Sequence, residues 1–343
     1  MDTNGIYPMH ATDRVFTMAH SFRRHLQKSL PPFLEEAPEE DPLSALPSDG
    51  PRADVPADIA KRWPSASEEI LAGEPSALAQ LPIDHAVLPT DTVGGPKAGA
   101  AALELFLDRK FGRYVEDRNQ PEAEVQSFLS PYLHFGHVSS HDVFAEVVRR
   151  EDWSIVDLAP KASGSREGWW GMSPPAEAFL DQIVTWREIG FNMCSHRDDA
   201  DQYESLPDWA QATLADHEAD PRPHAYDKQA LDDAETHDPL WNAAQNQLRR
   251  EGRIHNYLRM LWGKKILEWS RTPRGALDAL LELNDRYALD GRDPNSLSGI
   301  FWTLGRYDRA WGPERPIFGK IRYMSSENTA RKVRVRDYVA RYA

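Results

Sequence analysis

The chain has 343 residues, 41% of them apolar and 10% aromatic, and a formal net charge of −14 at pH 7. That is too much apolar content for a disordered chain, and the length suggests two domains or one large one with long connections. The single cysteine, Cys194, excludes a disulfide framework and a paired-cysteine metal site, and no apolar run reaches the ~20 residues of a membrane helix.

These features point to a soluble protein in a reducing, cytoplasmic setting, with no secretory leader at MDTNGIYPMH. A strongly acidic chain opposes nucleic-acid binding as a whole. The charge is uneven, however. Residues 35–60 and 198–238 are acidic, whereas the end, KIRYMSSENTARKVRVRDYVARYA, is basic. Binding to nucleic acid therefore has to be argued locally.

In chain order, TNGIYP reads as a strand end and turn, and Phe22 to Leu30 as a short basic helix. Residues 31–60 have the Pro, Asp and Glu content of a linker. From Gly99 to Tyr114, Leu103, Phe106, Leu107 and Phe111 recur at helical spacing. The pattern repeats over 139–150, 176–193, 254–270 and 274–284, and Gly252 is placed to stop one helix before the next begins near Ile254. No alternating strand follows residue 100. The bulk is expected to be all-α.

Three stretches carry chemistry. On the helix from Ile254, the side chains of His255, Arg259, Trp262 and Trp269 share a face, beside a second face with Asn256, Met260 and Gly263. Two core tryptophans with a structural arginine would give the same pattern. In QSFLSPYLHFGHVSS (126–140), Ser127, Ser130 and Pro131 open an apolar helix. Hydroxyls and free N–H groups at such a start suit a phosphate, and they equally suit an ordinary N-cap. Residues 283–316 are rich in Asp, Asn and Gly around Trp302 and Trp311, which suits the rim of a heterocycle or a long capped loop.

The segments LWNAAQ, EGRIHNYLRMLWGKKILEW, ALDGRDPNS and PERPIFGKIRYMSSENTARK resemble the C-terminal signature of the class II cyclobutane pyrimidine dimer DNA photolyases. Tyr114-x-x-x-Arg118-x-x-Pro121, then Ser127 to Leu133, is similar to the wider photolyase/cryptochrome pattern, and FLDQIVTWREIGFN (179–192) to that family's substrate- and flavin-facing helix. The resemblance is strong over residues 95–343 and weak over 1–30. It implies a mainly all-α, FAD-binding domain over 95–343, a remnant of an N-terminal α/β domain over 1–30 and an interdomain linker over 31–94. Most of that α/β domain, on the order of 100 residues, is expected to be missing, through truncation or a start codon lying upstream.

The roles implied by the resemblance are these. Trp262 stands nearest the light-excited flavin, Trp241 next, and Trp269 extends the path by which an electron reaches it. Tyr114, Ser127, Leu129 and Ser130 hold the FAD diphosphate through hydroxyls and backbone N–H groups. Arg187, Asn256, Arg259, Asp290 and Asp293 line the flavin, with Arg259 and Asp290 as an ion pair. Asn284 faces the flavin N5 edge. Trp186, Met260 and Trp302 form the lesion pocket. Gln182 stands where some members carry a glutamate, and it cannot protonate a radical anion. Asp181 lies about 100° around the helix and substitutes only if that turn shifts.

The implied activity is light-driven repair of pyrimidine dimers in DNA by a monomer, with no metal and no membrane. A cryptochrome-like blue-light photosensor and an inactive truncated fragment are the alternatives.

Overall fold

The computed structural model describes residues 4–35, 38–39, 41, 43–47, 50 and 54–343. The chain divides into two compact units, Pro38–Pro89 and the remainder, Met1–Ala37 with Thr90–Ala343. The smaller unit has helices Ala57–Arg62, Glu68–Leu71 and Pro75–Leu78, and none of its described residues is buried.

The larger unit is built of helices, and most of its longer ones stand where the sequence places them: Ala19–Ser29, Pro96–Arg109, Ser140–Glu151, Arg187–His196, Pro239–Glu251, Asn256–Trp269 and Pro273–Tyr287. Pro294–Thr303 was not foreseen, because it lies in the stretch read as a heterocycle rim or a long capped loop. Their starts follow local chemistry. Asp238, Thr272 and Asp293 each cap a helix whose first residue is proline, and Ser139 with Asp142 forms a reciprocal capping box. Gly252 ends Pro239–Glu251 with a left-handed φ of 66°, and a Cβ there would lie 2.6 Å from Leu289 Cγ.

Two departures from the sequence reading matter. Among the described residues no strand is longer than an isolated bridge, Met18 to Tyr307 and Arg315 to Gly319. Where a strand end was expected in TNGIYP, residues 4–7 bend instead. The N–H groups of Ile6 and Tyr7 donate to the buried Glu188 carboxylate at 2.7 and 3.2 Å, which replaces any strand partner. The predicted helix over 176–193 is in fact three segments, Pro174–Leu180, a π-helical Asp181–Trp186, and Arg187–His196. Periodicity did not reveal the widened turn, because π-helical turns are rare single-turn features that no local sequence signal marks.

Two apolar clusters form the core of this unit. One gathers Phe22, Phe106, Phe179 and Ile189; the other holds Trp241, Trp262, Trp269, Leu280 and Phe301. Leu297, on Pro294–Thr303, borders both. Glycines let the helices around that border approach closely. A Cβ on Gly190 would meet the Pro294 carbonyl oxygen at 2.5 Å, and one on Gly263 would meet Thr303 Cγ2 at 2.5 Å.

Candidate functional site

Arg259, Asn284, Asp290 and Ser296 converge from three helices and the turn before the last of them. Arg259 donates to Asn284 Oδ1 at 3.5 Å, Ser296 Oγ at 3.3 Å and Asp290 Oδ1 at 3.4 Å. The Arg259–Asp290 ion pair expected from the sequence is therefore present. Asn284 is 2% exposed and donates through Nδ2 to Asp285 Oδ1 at 2.9 Å and Ser296 Oγ at 3.0 Å. Burial of an amide between a cation and hydroxyl partners fixes its dipole. Asn256, by contrast, opens the same helix as an exposed residue.

A second polar group adjoins these. Asp293 caps Pro294–Thr303 through Oδ1, and its Oδ2 lies 3.3 Å from His134 Nδ1. Burial pushes the Arg187 guanidinium down while Asp293 opposes that shift. Arg187 also donates to the Asn4 carbonyl and lies 4.4 Å over the Phe191 ring.

The diphosphate candidates are placed differently. Ser127 Oγ accepts from Leu129 N at 3.4 Å, and Ser130 opens a five-residue helix that has no side-chain cap. Leu129 packs its side chain in the apolar core. Tyr114 is buried edge-on against Phe106 and Phe179, and burial raises its phenol against the pull of Arg118. Between Ser127 and Leu129, Phe128 takes a φ of 57° with Lys110 Nζ and Arg253 Cζ 4.7 and 4.0 Å from its ring centroid. Lys110 lies outside the quoted signature segments, and Arg253, although within EGRIHNYLRMLWGKKILEW, was given no role in the sequence.

The three tryptophans are all at most 2% exposed. Trp241 touches both others. Its Nε1 donates to the Trp262 carbonyl at 3.0 Å, and its ring meets that of Trp269 at 5.4 Å, edge-on. Trp262 Nε1 donates to the buried Gln245 Oε1 at 2.9 Å. From Trp269 the contacts continue to Tyr226 at 5.3 Å and His237 at 5.4 Å between ring centroids. Sequence reasoning missed Tyr226 and His237, because they lie in an acidic stretch that composition marks only as a solvated run.

Among the lesion-pocket candidates, Trp186, Met260 and Trp302 are half-buried, as is Gln182 on the π turn. The turn is widened, and the Asp181 carboxylate on it is held by two partners. Its Oδ1 accepts from Arg23 Nε at 2.7 Å, and its Oδ2 accepts from Trp186 Nε1 at 3.2 Å. Trp302 has the buried Lys264 Nζ at 4.9 Å and Arg322 Cζ at 5.7 Å. Burial pushes Lys264 down to about 7, against Asp308, while Nζ donates to the Thr303 carbonyl at 2.6 Å.

The chain is similar to deoxyribodipyrimidine photo-lyases. The protein of that name from Methanothermobacter thermautotrophicus is 42% identical over 248 residues, 72% of this chain and 50% of the relative. Those from Oryza sativa subsp. japonica and Arabidopsis thaliana are 39% and 32% identical, covering 72% and 99% of this chain and 46% and 63% of theirs. The chain thus spans about half the length of the curated relatives it matches. No family model matches it.

Among solved structures, a class III photolyase from Agrobacterium tumefaciens and a cryptochrome from Synechocystis sp. PCC6803 each superpose with a TM-score of 0.61 over 99% of this chain and 61% of theirs, at 17% and 16% identity. The fold is therefore that of the photolyase/cryptochrome helical domain. Proteins of this family bind FAD. The donor set here fits such a group: an arginine–carboxylate pair and an oriented amide suit a heterocycle rim, and Ser127 near an uncapped helix start suits a diphosphate.

Proposed function

We propose that this chain is the helical, FAD-binding part of a class II photolyase and serves light-dependent repair of cyclobutane pyrimidine dimers in DNA. One observation carries the reading most. The helix Asn256–Trp269 bears Arg259, within the polar cluster, and both Trp262 and Trp269 of the tryptophan chain. A polar grip on a heterocycle and a conduit to it therefore share one rigid element.

Bound FAD supplies the light absorption and the electron given to the dimer. The residues of the chain hold and feed that site. Arg259, neutralised in part by Asp290, places positive charge beside the heterocycle and favours an anionic reduced form. Asn284, locked by Ser296 and Asp285, offers a neutral amide at its edge. Trp269, Trp241 and Trp262 would pass an electron inward, because buried indoles need little rearrangement on oxidation. Ser127 and Ser130 with backbone N–H groups hold the diphosphate. Trp186, Met260 and Trp302 receive a flipped pyrimidine pair on flat or polarisable surfaces, and Asp181 fixes the Trp186 ring by its hydrogen bond. Gln182 donates a hydrogen bond to the lesion carbonyls without supplying a proton.

The test is twofold. FAD should be released from the purified full chain on heating, and dimers should be lost from duplex DNA under blue light once the flavin is chemically reduced. A folded chain that takes up no FAD would defeat the reading. Bound FAD with equal affinity for damaged and undamaged duplex, and no loss of dimer, would favour a photosensor instead.

A further inference from the structure

Lys264 stands where a charged side chain is expensive. It is fully buried on Asn256–Trp269, next to Gly263, where a Cβ would strike Thr303 and the helix therefore lies hard against Pro294–Thr303. That approach carries Lys264 Nζ onto the Thr303 carbonyl at 2.6 Å and over the face of the adjacent Trp302, 4.9 Å from its ring centroid. Of the three N–H groups of an ammonium, one finds an oxygen acceptor among the described residues, and the ring is the other electron-rich surface in reach. A methionine or leucine would fill the same space without the cost of desolvating an amine.

We infer that Lys264 is a positioning residue for the lesion pocket: its ammonium group, lodged against the Trp302 ring, fixes that ring for the pyrimidine pair and sets a positive charge beside the pair. The inference rests on the proposed reading of Trp302 as a wall of that pocket.

Two observations carry it. The first is how Trp302 is held. The ring is half-buried, so packing covers only part of it, and two cations lie against it, Lys264 and Arg322. Arg322 is exposed, stands 5.7 Å away and is shared with Trp311 at 4.9 Å. A cation–π contact in water is weak, whereas a desolvated one is stronger, so Lys264 is the firmer hold.

The second is the field of the charge. Asp308 supports the ammonium only from a distance, because its Oδ1 already accepts from the Arg309 N–H at 2.9 Å and from Trp311 Nε1 at 3.0 Å. The charge is therefore not cancelled at contact. A pyrimidine pair that takes up an electron becomes an anion, and a fixed positive charge in a water-poor wall favours it.

The amine is also poised to titrate. Burial lowers it to about 7, with Asp308 opposing that fall and Arg322 adding to it. The charge is present on the acid side of this value and is lost as pH rises through it.

The experiment uses the full chain, the variant Lys264→Met, and 5-fluorotryptophan labelling, with the Trp302 signal assigned by its loss in Trp302→Phe. In the parent that signal should shift with a midpoint at about 7, and in Lys264→Met it should stay flat. Thermal unfolding checks that the variant is folded. The folded amine releases its proton at about 7 and the unfolded one near 10.5, so the parent should gain stability with pH across that window and the variant should not follow. With FAD bound, Lys264→Met should lose affinity for dimer-containing duplex by about 3- to 30-fold below neutral pH, the range of a desolvated cation–π contact, and affinity for undamaged duplex should be unchanged. The loss should shrink as pH rises.

A Trp302 signal that titrates equally in parent and variant, or an unchanged affinity for the dimer, would overturn the inference. So would an equal loss on both duplexes, which would make Lys264 a general attractor of phosphate. A parent that does not distinguish damaged from undamaged duplex, while its Trp302 signal still titrates through Lys264, would defeat the lesion-pocket reading and this role with it, leaving only the contact between the two side chains.

Discussion

At the scale of single residues, Asn284 is the most constrained group in the candidate site. Replacing it with leucine removes one of the three acceptors of Arg259 and leaves Ser296 without its amide partner. The expected cost is about 1–3 kcal/mol of stability, with FAD still bound and a changed light-minus-dark spectrum; unaltered spectra would make Asn284 a purely structural residue. Trp262→Phe should slow photoreduction under blue light with an external reductant, and a parent-like rate would remove Trp262 from the first place in the chain.

The Arg259–Asp290 pair was legible in the sequence only through family resemblance, since the partners stand 31 positions apart. The Arg23–Asp181 pair was not legible at all. It spans 158 positions, and nothing local in either stretch announces it. Tyr226 and His237 were missed for the opposite reason. They are near in sequence, but only the fold brings Trp269 against them.

At the scale of elements, periodicity found most of the long helices but not Pro294–Thr303, and the caps explain where several of them begin. What it could not supply is how closely they pack. Arg187–His196 and Pro294–Thr303 meet at Gly190, where a methyl group would strike a backbone carbonyl that has no freedom to rotate away. Gly190→Ala should therefore cost about 1–3 kcal/mol by overpacking. It should also loosen FAD, because the two helices carry Arg187 and the Asp293 cap. Thermal unfolding with and without added FAD measures both effects, and a variant with parent-like stability would show that this contact yields easily. The π turn is a similar case. Its backbone register turns Asp181 onto Arg23 and Trp186, an arrangement that a regular helix drawn from the sequence does not contain.

At the scale of the whole molecule, pH and salt report on different groups. His255 is 5% exposed, its Nε2 has no hydrogen-bond partner among the described residues, and burial pushes its pKa down to about 4. The unfolded chain takes up that proton near pH 6.5, whereas the folded one does so only near 4. Between those values the unfolded state binds more protons, so stability falls as pH drops through the window, by about 3 kcal/mol from this group. The His255→Gln variant should show a flatter denaturation profile over the same range, and parallel profiles would clear His255. For DNA, the basic end is already partly engaged, with Lys320 on Glu314 at 3.1 Å and Arg331 on Glu327 at 3.9 Å. Affinity for dimer-containing duplex should fall with salt at a log–log slope of about −0.9 per phosphate contact. A slope near zero would show that the acidic character of the chain prevails.

The bend over residues 4–7 joins these scales. Ile6 and Tyr7 bind Glu188, Asn4 accepts from Arg187, and a Cβ on Gly5 would lie 2.6 Å from Glu188 Cδ. The first few residues therefore work as a clasp on the helix that presents Arg187. Opening the clasp removes backbone hydrogen bonds from two buried charges at once, and the helix would then be expected to solvate them by shifting outward. On the proposed reading, in which Arg187 lines the flavin, a protease nick or a bulky fusion next to residue 4 would be felt at the site as lost affinity before it was seen as lost fold.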